Sequence, residues 1–319
     1  MNQSQDAAQI NKGLWLGLLG IVIFSVTLPM TKLAVGSIDA PQLSPWFTTF
    51  GRAAVAGVLS MLYLGFGFWR GHRQRPQGRQ WRLLGFTAVC VVVGFPLFLS
   101  LALQHVPSTH GAVVTGLLPL ATAGMAALWF RQRPSLAFWA CAVTGTLLVL
   151  LFMALHSGDG SGHFAIQLAD IFLLLAMLSA ALGYIGGARL TTSLGAERVI
   201  CWVLVISLPV SLPLAFMHAP AASQSISWAS WGAFAYLAVF SMWIGFFAWY
   251  RGLALGGVVR VSQVQLVQPF LSMLFAVPLL GERLDAATLA FGLGVMATVF
   301  IGKKMPVNGA VSKPLATKG

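Results

Sequence analysis

The stretch GFPLFLSLALQHVPSTHGAVVTGLLPL (94–120) has a looser second copy, GFFAWYRGLALGGVVRVSQVQLVQPF (245–270). Both open on Gly-Phe, pass through Leu-Ala-Leu and reach a proline in the next apolar run. Those prolines, Pro119 and Pro269, lie 150 residues apart, close to half of the 319-residue chain. The following run starts after Arg-Gln-Arg-Pro-Ser (131–135) in one half and after Gly-Glu-Arg-Leu-Asp (281–285) in the other. The match needs shifts of one or two residues.

The composition says where such a chain can live. Hydrophobic residues make up 58% and charged residues 8%. Soluble domains carry roughly 25% charged residues, so a water-facing surface cannot be built from this chain. Apolar runs of about 18 residues or more read as helices that cross a bilayer. Hydrocarbon leaves no water for backbone groups, so the choice is helices or a closed barrel. Barrel strands would alternate in polarity over about ten residues, and these runs do not alternate. We place ten spans near 13–36, 46–69, 81–104, 110–130, 135–155, 168–189, 198–217, 229–252, 259–280 and 286–302. The first run is too long for a cleavable signal and reads as a retained span. Cys90, Cys141 and Cys201 fall inside apolar segments and read as small buried residues, with no disulfide expected.

The net charge of +12 would suggest nucleic acid in a soluble protein, but here topology explains it. Basic residues stay on the cytoplasmic side. Lys12, the cluster Arg70, Arg73, Arg75, Arg79 and Arg82, then Arg131, Arg133, Arg189, Arg198, Arg251, Arg260, Lys303, Lys304, Lys313 and Lys318 all fall on one parity of loop or tail. The opposite loops hold only Arg283, beside Glu282 and Asp285. This alternation argues for an even number of spans with both termini cytoplasmic. The expected fold is therefore all-α integral membrane. It has a five-helix repeat at 13–155, another at 168–302, and tails at 1–12 and 303–319. Five spans is an odd number, so the second copy enters from the opposite side. Inverted repeats of this kind characterise secondary transporters, whose sites lie at the repeat interface.

Ionisable groups inside a span are costly and therefore candidates for function. Lys32 lies in the outer part of the first span and Arg52 in the second. Each can either snorkel to the interface or face a cavity, where both would favour a carboxylate or phosphate. Asp170 reads as a helix N-cap and Glu197 as a partner of Arg198 or a cap. His105 and His110 flank a short outer loop and read as interfacial. No carboxylate sits deep in a span, which counts against a cation pump built on a buried acid. Gln265, Gln268 and Ser272 share one helix face. At the 150-residue offset Thr115 matches Gln265, and Thr122 matches Ser272. Substrate contact and interhelical hydrogen bonding both account for these stripes. Trp243, Phe247 and Tyr250 also share a face, which could line a pocket or simply pack. Prolines 29, 96, 119, 209, 213 and 269 lie within spans and are expected to bend them.

At this point the chain resembles the drug/metabolite transporter superfamily, EamA type. The resemblance is carried by IFSVTLPMTKLAVG (23–36), by Arg52, and by LALGGVVRVSQVQLVQPFLSMLFAVPLLGERLDAATLAFGLGVMATVFIG (253–302). It runs from about 13 to 302; the first half departs from it, with Arg131-Gln132-Arg133 where the second has Gly-Glu-Arg. The resemblance implies export of amino acids or related small metabolites without ATP hydrolysis. A toxic-compound exporter of the same fold and a non-transport membrane protein stay open as alternatives.

No P-loop, nucleophile elbow or zinc motif is present, so neither enzyme activity, nor a cofactor, nor a metal is called for. The expected substrate-binding residues are Gln265, Gln268, Thr115, Trp243, Arg52, Lys32 and Tyr250. The expected partners are a small-molecule substrate and the lipid bilayer, with a homodimer as an open option and no nucleic acid. The expected location is a bacterial inner membrane. Cysteines introduced in segment 70–82 and in the C-terminal tail are expected to react with an impermeant thiol reagent from the cytoplasmic face alone. Labelling from opposite faces overturns the head-to-tail arrangement.

Overall fold

The computed structural model describes residues 3–71, 75–129, 133–155, 167–256, 262–304 and 307–308. Arg73, Arg131, Gln132, Arg260, Lys313 and Lys318, used in the charge pattern and the repeat comparison, lie outside the described residues. Among those described, six helices are long and apolar enough to cross a membrane: Gln9–Val35, Pro45–Trp69, Arg79–His105, Leu168–Thr191, Ala196–Met217 and Trp228–Leu253. Three shorter apolar helices accompany them, Trp139–Phe152, Gln268–Leu280 and Ala286–Thr298. A two-residue antiparallel pairing joins Arg133–Pro134 to Val307–Asn308. Cys90, Cys141 and Cys201 are free.

The Pro45–Trp69 helix shows how the sequence chooses its faces. Ser44 caps it, accepting from the Phe47 N–H at 3.0 Å, and Pro45 starts it where no N–H is needed. Val55, Val58, Leu62 and Phe66 recur at helical spacing and are exposed. An exposed apolar stripe of this kind suits lipid and not water. The opposite face, with Ala53, Ala56, Gly57 and Ser60, is buried. Gly57 lets the Ala196–Met217 helix come close: a Cβ there would lie 2.6 Å from Leu208 Cδ2.

Four helix pairs dominate the packing. Pro45–Trp69 packs on Ala196–Met217, and Gln3–Ser25 on Gly245–Gly256. Phe95–His105 packs on Leu168–Leu194, and Leu136–Leu155 on Ala286–Lys304. Each pair joins a helix before residue 156 to one after residue 166, so the two halves of the chain interleave.

Several helices are interrupted. The first breaks at Val26, between Gln3–Ser25 and Thr27–Val35. Arg79–His105 and Trp228–Leu253 contain π-helical segments at Val89–Gly94 and Leu237–Ile244. Both π segments end at the Gly-Phe pair of the repeat. The Phe95 N–H donates to the Cys90 carbonyl and the Gly245 N–H to the Phe240 carbonyl, each five residues back. Thr115 and Leu118 flank another break, and a 3-10 segment, Ser262–Val267, precedes Gln268–Leu280. Pro96, Pro119 and Pro269 each occupy the second position of the helix that follows its interruption, where a missing N–H costs nothing. Pro209 and Pro213 instead sit inside Ala196–Met217.

Two local expectations change, and Glu197 gains a partner on another helix. Asp170 is not the N-cap; it sits three residues into the Leu168–Leu194 helix as the reciprocal member of a capping box with Gln167. Glu197 pairs across helices with Arg251, at 3.2 Å. Arg189 lies within the Leu168–Leu194 helix, which runs past the expected end.

Glu282 ties the halves together. Its Oε1 and Oε2 accept from the Ser108 and Thr109 N–H groups at 2.7 and 2.9 Å, capping the Ser108–Thr115 helix across more than 170 residues of chain. A carboxylate at a helix N-terminus satisfies orphan donors and meets the positive end of the dipole. Glu282→Ala is expected to cost about 1 to 2 kcal/mol, read as a lowered melting temperature of the purified protein. An unchanged melting temperature removes the clamp.

Candidate functional site

The interruptions gather around two adjoining chambers. The first, with about 420 Å³ of empty space, is lined by Phe24, Thr27, Arg52, Val91, Phe95, Ala180, Tyr184, Ser241, Met242, Phe246 and Gln268. The second, with about 410 Å³, is lined by Leu28, Phe95, Thr115, Leu118, Pro119, Tyr184, Gln265, Gln268, Pro269 and Ser272. They share Phe95, Tyr184 and Gln268.

Most of this lining comes from the interruptions. Thr27 and Leu28 follow the Val26 break. Val91 with Phe95, and Met242 with Phe246, occupy matching places in and just after the two π segments. Thr115 and Leu118 flank the break in the fourth apolar run, while Gln265 and Gln268 lie in and just after the 3-10 turn. Irregular backbone at membrane depth is tolerated only where protein or a cavity surrounds it.

One interruption shows how its freed carbonyl is used. Pro29 has no N–H, so the Ser25 carbonyl four residues back loses its helical donor. The Ser272 hydroxyl supplies one instead, at 2.8 Å. Ser272 therefore serves helix–helix bonding. Thr27 and Ser241 share a hydrogen bond between their hydroxyls at 2.9 Å. Thr115 donates to the Gly111 carbonyl of its own helix at 2.7 Å, and Thr122 to that of Leu118 at 2.8 Å.

Arg52 is the outstanding group. It is 1% exposed, and its Nε and Nη1 have no hydrogen-bond partner. It does not snorkel; it lines the first chamber, beside Gln268 and the Thr27–Ser241 pair. Among the described residues, no acidic side chain lines either chamber. Gln265 Nε2 and Gln268 Oε1 are likewise buried without partners. Four expected residues thus line the two adjoining chambers: Arg52 the first, Thr115 and Gln265 the second, and Gln268 both.

The other three lie elsewhere. Lys32 is half-buried, and its Nζ donates to the Leu103 carbonyl at 2.7 Å. Trp243 packs against Phe247 and Tyr63, outside both chambers. Tyr250 is buried against Gly187: a Cβ there would collide with the Tyr250 hydroxyl. The expected aromatic face is real, but it points into helix packing.

Other features escaped the sequence reading. Tyr184, Phe95 and Phe246 are chamber walls, and the Gly-Phe repeat pointed at two of them. His110 is buried, not interfacial, and its Nε2 lies 2.8 Å from Asp170 Oδ1. That pair spans 60 residues of sequence, and no local pattern announces it.

Comparison with known proteins adds a family. Residues 11–154 and 167–302 each match the model of the EamA-like transporter family. A Bacillus subtilis (strain 168) protein described as uncharacterized transporter YdeK is 43% identical over 292 residues, covering 91% of this chain and 96% of the relative. A second protein of that organism, uncharacterized transporter YyaM, is 25% identical over 276 residues, covering 82% and 85%. A crystal structure described only as that of a protein superposes with a TM-score of 0.60 at 18% identity, covering 91% of this chain and 96% of the other. That likeness speaks to the fold alone.

Proposed function

The chain belongs to the EamA-like transporter family and is a multi-pass membrane transporter, and from that premise we propose a secondary transporter that exports a small metabolite, of the amino acid or related class, by alternating access. It sits in a bacterial inner membrane with ten spans, as two inverted five-helix repeats at 13–155 and 168–302 and with cytoplasmic termini. The substrate binds in the paired chambers, and Arg52, Thr115, Gln265 and Gln268 are its polar contacts. Lys32 acts at the outer end of the path. Trp243 and Tyr250 hold the wall behind it.

One observation carries the reading: broken helices from both halves converge on a buried, partly polar space. Discontinuous helices at the interface of inverted repeats are where secondary transporters bind their cargo. The packing supports the same symmetry. Exchanging each span for its counterpart five spans away maps the first–eighth pairing onto the sixth–third pairing. The second–seventh and fifth–tenth pairings map onto themselves. The π segments at Val89–Gly94 and Leu237–Ile244 obey the same exchange.

The family relation speaks for transport and against catalysis. An anion-friendly chamber without a carboxylate weighs against a carrier of cationic toxic compounds. Transport of a labelled amino acid panel in proteoliposomes, with and without an imposed pH gradient, tests the reading. Failure of every compound to move in either direction speaks against it. Gln265→Ala is expected to lower transport by roughly tenfold, the worth of one hydrogen bond to substrate, with no loss of folded protein. Unchanged kinetics remove Gln265 from the site.

A further inference from the structure

We infer that the chambers take a substrate carrying a single carboxylate, which docks on Arg52, together with a hydrogen-bonding group that reaches Gln268 and Gln265; this rests on the transport reading above. A guanidinium enclosed in a membrane protein is normally paired, because desolvating a charge is among the largest penalties a fold can carry. Arg52 is 1% exposed, and its Nε and Nη1 have no partner. Thr48 and Thr49, one turn earlier on the same helix, have buried hydroxyls that are likewise unpartnered, so they do not bond to it. The arginine adds nothing to the resting fold that an apolar residue would not add better. Its presence makes sense when an anion arrives.

The charge balance selects the kind of anion. Among the described residues, Arg52 is the only charged side chain lining either chamber. A carboxylate cancels it and fits the guanidinium fork with two parallel hydrogen bonds. A phosphate monoester, at about −1.5 to −2, would leave excess negative charge in a dry space, and a cation would be repelled. Nor does the second half supply a matching charge. At the offset of the two Gly-Phe pairs, Arg52 corresponds to Val203, so one anion is held and not two.

The rest of the ligand is outlined by the two orphan amides. Gln268 borders both chambers, and its Oε1 offers an acceptor. Gln265 Nε2 offers a donor in the second chamber. A molecule bridging the chambers would present a carboxylate to Arg52 and both a donor and an acceptor to this pair. Phe95 and Tyr184 flank that bridge.

The test uses the full-length protein in proteoliposomes. Labelled leucine, glutamine, phenylalanine and lactate are the carboxylate probes, and their unlabelled acids, methyl esters and carboxamides are the competitors. The expected result is transport of at least one free acid, with its ester and amide competing at least tenfold less well. Arg52→Gln is expected to reduce that transport at least tenfold, and Arg52→Lys less. Arg52→Gln is also expected to melt at a higher temperature than the wild type without substrate, because it removes an unpaired buried charge; a merely structural arginine would give the opposite shift. Esters and amides that compete as well as acids overturn the inference. So does full carboxylate transport by folded Arg52→Gln, and both outcomes leave the transport reading standing. Wild-type vesicles with folded protein that move no probe under any gradient overturn both. If Arg52→Gln fails to fold, the wild-type competition alone decides.

Discussion

In hydrocarbon, every backbone N–H and C=O must find a partner within the protein. That demand makes the chain helical, and it also makes each departure from a helix informative. The breaks at Val26 and around Gly116, the two π segments and the 3-10 turn are not scattered over the lipid-facing surface. They cluster where neighbouring helices can satisfy what each break frees. The Ser25 carbonyl, deprived of a donor by Pro29 and given one by Ser272, shows the arrangement in miniature. Because the freed groups must be buried, the breaks must be central, and so the protein's irregular backbone and its polar lining coincide.

Within that frame the two halves contribute unequally. The wide turns, the Gly-Phe pairs and the proline-led helices recur in both. Arg52 does not recur, nor does the long unbroken Leu168–Leu194 helix match the broken first helix. The Glu282 clamp on the Ser108–Thr115 helix joins a loop of the second half to a helix of the first. Segments that recur in both halves thus carry charges that do not.

The sequence was legible wherever the physics is local. Apolar length marked the six long helices, whose ends lie within a few residues of the expected ones except that the first helix begins at Gln3, ten residues early; the ninth expected run is α-helical only from Gln268. The polar face of Gln265 and Gln268 could be read because helical periodicity needs only neighbours. Which way a face points depends on the partner helix, so the shared face of Trp243 and Tyr250 was plain in the sequence but its destination was not. Arg52 was visible as a costly residue in a span, yet only packing could decide between snorkelling and enclosure. Long-range pairs such as His110 with Asp170, or Glu282 with Ser108, leave no trace in spacing at all. The π turns were equally silent, because an extra residue per turn looks like any other residue in an apolar run.

Those wide turns set a rule about chain length. Each α-helical residue advances the side chains by about 100° around the axis. A single-residue deletion inside Val89–Gly94 would tighten the turn to ordinary α geometry. Because a π turn fits one more residue into about the same rotation, the helix on either side would keep nearly the aim it has now. Phe95 would stay on its face of the helix, and only the residues of the turn itself would change theirs. In a regular membrane helix each residue gained or lost swings all that follows by about 100°, but at these two places the loss of one residue is absorbed locally. A deletion there can re-address the few side chains of the turn without rebuilding the bundle that holds them.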